Sequence, residues 1–138
     1  MKFGIDRILA DPALREPLKG KRVALLAHPA SVTADLTHSL DALVAAGVNV
    51  SAMFGPQHGV RGDLQDNMVE SPDYTDPIYG VPVFSLYGEV RRPRGQWMGT
   101  FDVLLVDLQD VGCRIYTFVT TLLYVLEACA EHGKAVSC

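Results

Sequence analysis

The run Phe101-Asp102-Val103-Leu104-Leu105-Val106-Asp107 constrains the fold more than any other stretch of this sequence. Four consecutive aliphatic side chains between two aspartates leave no polar face. Because side chains on a strand alternate between its two sides, a strand here must be covered on both. The run is too short for a buried helix. It therefore predicts a central strand in a sheet with helices packed on both faces.

The rest of the sequence supplies matching pieces. Arg22-Val23-Ala24-Leu25-Leu26-Ala27 follows the turn Leu18-Lys19-Gly20-Lys21 and reads as a first strand. From Thr33 or Asp35 the spacing turns helical, with Leu36, Leu40, Leu43 and Val44 on one face, Asp35 in the first turn and Gly47 just past the end. Val48 to Phe54 is a second strand, stopped by Gly55-Pro56, and Val81 to Leu86 is a third. After the 101–107 run, Thr117 to Glu131 reads as a helix with Val119, Leu122, Leu123, Leu126 and Ala130 on its apolar stripe, and Lys134 to Cys138 opens a fifth strand. Strand and helix alternate, so the expected class is α/β: a Rossmann-like, mostly parallel sheet with flanking helices and right-handed crossovers.

Composition narrows the function. At 138 residues, 49% hydrophobic and 20% charged, the chain reads as a single globular α/β domain over 1–138. Sixteen acidic against twelve basic side chains, a formal net charge of -4, leave no broad basic face, so no nucleic acid is expected as a partner. The most apolar stretch, Phe118 to Ala130, is broken by Thr120, Thr121 and Glu127 and falls short of the roughly 20 residues a bilayer needs, so no membrane span is expected either. Met1-Lys2-Phe3-Gly4-Ile5-Asp6 lacks the apolar core of a secretory signal, which predicts a cytoplasmic or already processed protein. Cys113, Cys129 and Cys138 fit neither a disulfide framework nor a zinc spacing and read as free, packing thiols; Arg91, Arg92 and Arg94 read as a solvated turn.

Ligands of open parallel sheets sit beyond the carboxyl ends of the strands. Three polar loops follow strands here: His28-Pro29-Ala30-Ser31, the segment Gly55 to Asp63, and Leu108 to Tyr116. The first has no glycine, which argues against both the dinucleotide fingerprint and the phosphate loop. The second gathers glycines, a proline, His58, Arg61 and Asp63. Glycines let a ligand approach the backbone, and His58 can exchange a proton near neutral pH, although a tight loop with a satisfied histidine would look the same. Asp107, Gln109, Asp110, Arg114 and Tyr116 crowd the mouth of the central strand, with a structural Asp-Arg pair as the plainer alternative. His58, Asp63, Asp66, Asn67 and Glu70 offer oxygen and imidazole donors without a recognised ligand spacing, so no metal and no cofactor is expected.

Three ordered motifs carry a resemblance: Phe54-Gly55-Pro56-Gln57-His58-Gly59-Val60-Arg61-Gly62-Asp63, then Gly80 to Gly88, then Asp102 to Thr117. Together they resemble the exo-β-N-acetylmuramidase family, formerly a domain of unknown function, whose members release N-acetylmuramic acid from the non-reducing end of peptidoglycan fragments. The resemblance implies a hydrolase-type domain, the N-terminal part of a longer two-domain architecture, with a muropeptide or amino-sugar fragment as partner. The resemblance also leaves a periplasmic or secreted location open. It implies catalytic positions at Gln57, His58, Glu70 and Asp110, and sugar contacts from Arg61, Asp107, Gln109, Arg114 and Tyr116, with Arg61 or Arg114 suited to the lactyl carboxylate.

One position departs from the family pattern. The usual motif is Pro-Glu-His-Gly, whereas this chain has Gln57, and a neutral amide cannot act as general acid or base. Glu70, in Gln65 to Glu70, is a candidate to replace the missing acid. Two readings therefore stand, an exo-acting glycosidase and a non-catalytic sugar-binding domain, with a nucleotide-binding module as a third. Apolar surface on the last helix and the fifth strand predicts a homo-oligomer.

Overall fold

The computed structural model describes residues 2–56, 60–61, 73–87, 90–109 and 118–138. Two short helices, α1 (Gly4–Ala10) and α2 (Pro12–Arg15), and a 3-10 turn (Glu16–Leu18) lead into β1 (Val23–Ala27). Asp11 starts α2 by accepting the Ala13 N–H at 2.9 Å, with Pro12 in the first helical position, where its missing N–H costs nothing. Then come α3 (Ser39–Ala45), β2 (Val50–Gly55), β3 (Tyr74–Thr75), β4 (Pro82–Ser85), α4 (Gly95–Met98), β5 (Val103–Asp107), α5 (Phe118–Glu131) and β6 (Ala135–Ser137).

The strands form one six-stranded sheet in the order β3-β4-β2-β1-β5-β6. Every pairing is parallel except that of β3 with β4. The expected α/β class with a mostly parallel sheet is what forms. β1 lies between β2 and β5 and is buried along its whole length, while the 101–107 run becomes β5, one strand further out. Alternation on β1 divides the core. Val23, Leu25 and Ala27 join Ile5, Leu40 and Leu43 on the face covered by α1 and α3, whereas Ala24 and Leu26 join Phe54, Trp97, Phe101 and Val125 on the face covered by α4 and α5. On that second face Phe84 and Trp97 stack at 4.7 Å and Phe54 meets Phe101 edge-on at 5.8 Å.

Two helical expectations are corrected. The first crossover helix begins at Ser39, not at Thr33 or Asp35. Residues 32–38 form a small hairpin instead: Val32 bridges His38, the Leu36 N–H reaches the Thr33 carbonyl at 3.0 Å, and Leu36 itself has φ 66° and is 80% exposed. Thr33, Asp35 and Thr37 satisfy one another and the local backbone through their side chains, which outcompetes a helical start. In α5 the buried face is Phe118, Thr121, Val125, Ala128 and Cys129, so Val119, Leu123, Leu126 and Ala130 of the expected stripe point outward. The helix is apolar on two sides, and its periodicity alone cannot say which side meets the sheet.

Cys129 packs in the core as expected, whereas Cys138 is exposed. The arginine turn is exposed, as expected, and its side chains also make contacts: Arg92 pairs with Glu127 and Glu131 of α5 at 3.0 and 2.6 Å, and Arg91 and Arg94 lie over the rings of Tyr87 and Trp97.

Candidate functional site

The carboxyl ends of β1, β2 and β5 open on one side of the sheet, and the loop after β1 stitches two of them together. Ser31 accepts the N–H of His28 at 3.0 Å and donates its hydroxyl to the main-chain carbonyl of Asp107. Ser39, the first residue of α3, donates its hydroxyl to the Asp107 carboxylate. Both serines are fully buried, so Asp107 ends β5 with its backbone and side chain each held by a buried hydroxyl. Gln109, two residues on, is exposed at the mouth.

His28 closes the floor of this mouth. Its ring stacks on Phe118 at 4.7 Å, Nδ1 accepts the Ala30 N–H at 2.9 Å, and Nε2 lies 3.3 Å from the Gln109 N–H. Burial, helped by the neighbouring His38, pulls its pKa below the usual histidine value, against the Gln109 contact and the Asp107 charge. This imidazole is a buried packing group.

The first turn of α3 also grips the loop after β2. His38 caps the helix, accepting the Leu40 N–H at 3.2 Å through Nδ1, while Nε2 contacts the Val60 carbonyl at 2.9 Å and the His28 carbonyl at 3.3 Å. Arg61 donates Nη1 and Nη2 to Asp41 at 3.2 and 3.0 Å and Nε to Asp76 at 2.9 Å. Asp76, with its side chain 2% exposed, also accepts the N–H groups of Ile78 and Tyr79. The Arg61 guanidinium holds the Asp41 carboxyl below its ordinary pKa. Burial pushes Asp76 upward, but the Tyr79 N–H, Arg61 and the Ile78 N–H outweigh it and the net shift is down. Asp41 in turn raises the Tyr79 phenol and, first among the causes, the Arg61 guanidinium.

Of the residues expected at the site, the structure places Asp107 and Gln109 at this mouth, while the Arg61 guanidinium is turned to Asp41 of α3 and to Asp76 ahead of β4. Gln57, His58, Glu70, Asp110, Arg114 and Tyr116 lie outside the described residues, as do the other candidate donors Asp63, Asp66 and Asn67. Sequence reasoning missed Ser39, His38, Asp41 and Asp76 and gave Ser31 and His28 no role beyond a polar loop. Among the described residues no three His, Cys, Asp or Glu side chains gather as metal ligands, and no helix is long and apolar enough to cross a membrane. A cleft of about 520 Å³ between α1 and α5 is lined by Ile5, Ile8, Leu14 and Leu122 together with Arg7, Asp107 and Ser137.

A mostly parallel sheet covered on both faces, with a hydrogen-bonded polar mouth at its carboxyl end, defines an α/β domain. The chain belongs to the exo-β-N-acetylmuramidase NamZ family: the profile described as exo-β-N-acetylmuramidase NamZ, N-terminal, matches residues 23–138. It is 44% identical over 134 residues to the peptidoglycan β-N-acetylmuramidase NamZ of Bacillus subtilis (strain 168), covering 96% of this chain and 32% of that protein. Two DUF1343-family crystal structures from Bacteroides fragilis NCTC 9343 superpose with TM-scores of 0.85 and 0.76 at 38% and 32% identity, each covering 98% of this chain and 33% of theirs. The chain thus spans about a third of the length of the relatives it matches.

Proposed function

We propose that this chain forms the strand-end wall of an exo-acting glycosidase site that takes N-acetylmuramic acid at the non-reducing end of peptidoglycan fragments. The observation that carries this reading is the carboxylate of Asp107, fixed by Ser39 at the end of β5 within the motif Asp102 to Thr117. Glycoside hydrolysis needs a proton donor to the leaving oxygen and a second group that handles water or the oxocarbenium ion. Asp110 and Glu70 are the carboxyls assigned to these tasks, beside His58, with Gln57 standing where the family carries its glutamate. Asp107, Gln109 and Tyr116 are assigned to the sugar's hydroxyl and amide groups, and Arg114 to the lactyl carboxylate through a forked contact.

Gln57 favours a second reading, an amino-sugar-binding domain without turnover, because an amide cannot exchange a proton. Incubating the purified chain with a chromogenic N-acetylmuramide separates the two. Release of the chromophore supports the glycosidase, and saturable binding without release supports the binding domain. Absence of both overturns the assignment of this mouth to an amino sugar.

A second copy of the chain is the expected partner of the open sheet edge. β6 is exposed throughout, and α5 turns Val119, Leu123 and Leu126 outward beside it. Light scattering over a concentration series, with Leu123→Lys as control, tests this; a monomer at every concentration rejects it.

A further inference from the structure

We infer that His38 and Asp41, on the first turn of α3, are positioning residues for the loop that follows β2, and that Arg61 serves their clamp and does not touch the sugar. The inference deepens the amino-sugar reading above and rests on it for its binding arm only.

The His38 ring joins three segments. Its Nδ1 accepts the Leu40 N–H at 3.2 Å, so in the neutral ring the proton resides on Nε2. There it faces two carbonyls, Val60 at 2.9 Å and His28 at 3.3 Å. One side chain thus caps α3 and ties the loops after β1 and β2 to it. Three residues further along the same helix face, Asp41 takes both terminal nitrogens of Arg61, and Asp76 takes the third. The Val60 side chain adds an apolar anchor, 1% exposed in the cluster of Leu40 and Leu43.

These ties act at a defined place in the sequence. Val60 and Arg61 directly follow Gln57-His58-Gly59, the segment to which the proposed function assigns catalytic groups. On the other side of that segment Gly55 is fixed in the sheet: it pairs with Ser85 of β4, and its carbonyl accepts the Leu86 N–H at 2.9 Å. The chain leaves β2 at a fixed point and returns to one that α3 holds by two polar ties and a buried valine. An Arg61 recruited to a lactyl carboxylate would share a guanidinium whose three nitrogens already face Asp41 and Asp76.

The test uses the whole chain, isotopically labelled, with N-acetylmuramic acid and N-acetylglucosamine as probes. His38→Asn keeps an oxygen that caps the helix but is too short to reach Val60, so it separates the cap from the loop tie. It is expected to hold the melting temperature within about 3 °C while amide exchange at Val60 and Arg61 rises about tenfold and amides of β1 stay unchanged. N-acetylmuramic acid binding should weaken about tenfold in both His38→Asn and Asp41→Asn. Unchanged exchange at Val60 and Arg61 in His38→Asn overturns the proposal. So does tighter, muramic-acid-selective binding in Asp41→Asn, because freeing Arg61 would then have supplied a sugar contact. Should His38→Asn not fold, long-range proton–nitrogen correlation on the unmodified chain decides: an Nδ1–H tautomer at His38 overturns the tie to Val60, and a protected Nε2–H supports it. If the unmodified chain binds neither sugar, the amino-sugar reading fails while the exchange and tautomer arms still judge the clamp.

Discussion

The hydroxyl of Ser39 donates to the carboxylate of Asp107, joining the first turn of α3 to the carboxyl end of β5 across 68 residues of sequence. Ser39 is fully buried, so its removal leaves the Asp107 carboxylate short of a donor that water does not readily replace. Ser39→Ala is expected to cost about 1.5–3 kcal/mol in urea unfolding, the range for a hydrogen bond to a charged group. Asp107→Asn keeps an oxygen to accept that hydroxyl and should cost less. A Ser39→Ala protein as stable as the parent would show that the bond contributes nothing net.

His28 makes stability depend on pH near neutrality. Its folded pKa lies below the usual histidine value of 6.5, chiefly through burial, so between the two values the unfolded chain binds more protons than the folded one. The stabilising effect of the neutral ring is complete above pH 6.5 and is lost as pH falls below that toward the lower folded value. Thermal unfolding from pH 8 to 5 should show this decline, and His28→Gln should flatten it. An unaltered slope in His28→Gln would place the titration elsewhere.

The Asp41–Arg61–Asp76 clamp makes a second, more acid contribution. Both carboxyls are held below 3.8 in the folded protein, so their contribution is complete above the unfolded value and lost as pH falls through the depressed folded values. Arg61→Ala removes the cation and leaves Asp76 almost wholly buried beside backbone N–H groups alone. Because Asp41 and Arg61 are partly exposed, the loss at pH 7 should be about 2–3 kcal/mol, below the range for a fully buried pair. The acid limb of the stability profile below pH 3.8 should become shallower in the same variant. A parallel downward shift at all pH values would mean the two carboxyls do not titrate through the clamp.

The sheet was legible because its information is local. Alternation and the lengths of apolar runs mark β1 and β5, and Gly55-Pro56 marks the end of β2. The start of α3 was misread because Leu36 continues the helical spacing while the side chains of Thr33, Asp35 and Thr37 fold residues 32–38 into a hairpin. Periodicity does not register competition of that kind. The mouth was legible as a place, since three polar loops follow three strands. The partners that organise it were not. Ser31 reaches Asp107 over 76 residues and Ser39 reaches it over 68, and a buried serine carries no periodic or compositional mark of a tertiary bond. Asp41 reads as an ordinary first-turn acid of a helix until the fold brings Arg61 to it.

The proposed function makes Gln57 the residue that separates turnover from binding. In Pro56-Gln57-His58-Gly59 the amide occupies the position where the family motif carries glutamate, and the two side chains are close in size and differ in whether they can carry a proton. Gln57→Glu therefore tests the acid with little change of shape. If the remaining site is intact, the variant should release chromophore from an N-acetylmuramide at least about a hundredfold faster than the parent, the order of magnitude a positioned general acid or base contributes. Its rate should fall at high pH, where the new carboxyl has lost its proton, if that carboxyl serves as the acid, and at low pH if it serves as the base. A Gln57→Glu protein that binds the sugar as the parent does and still releases nothing would show that this position is not where the missing acid belongs, leaving Glu70 and Asp110 to be tested as the alanine variants of the parent chain.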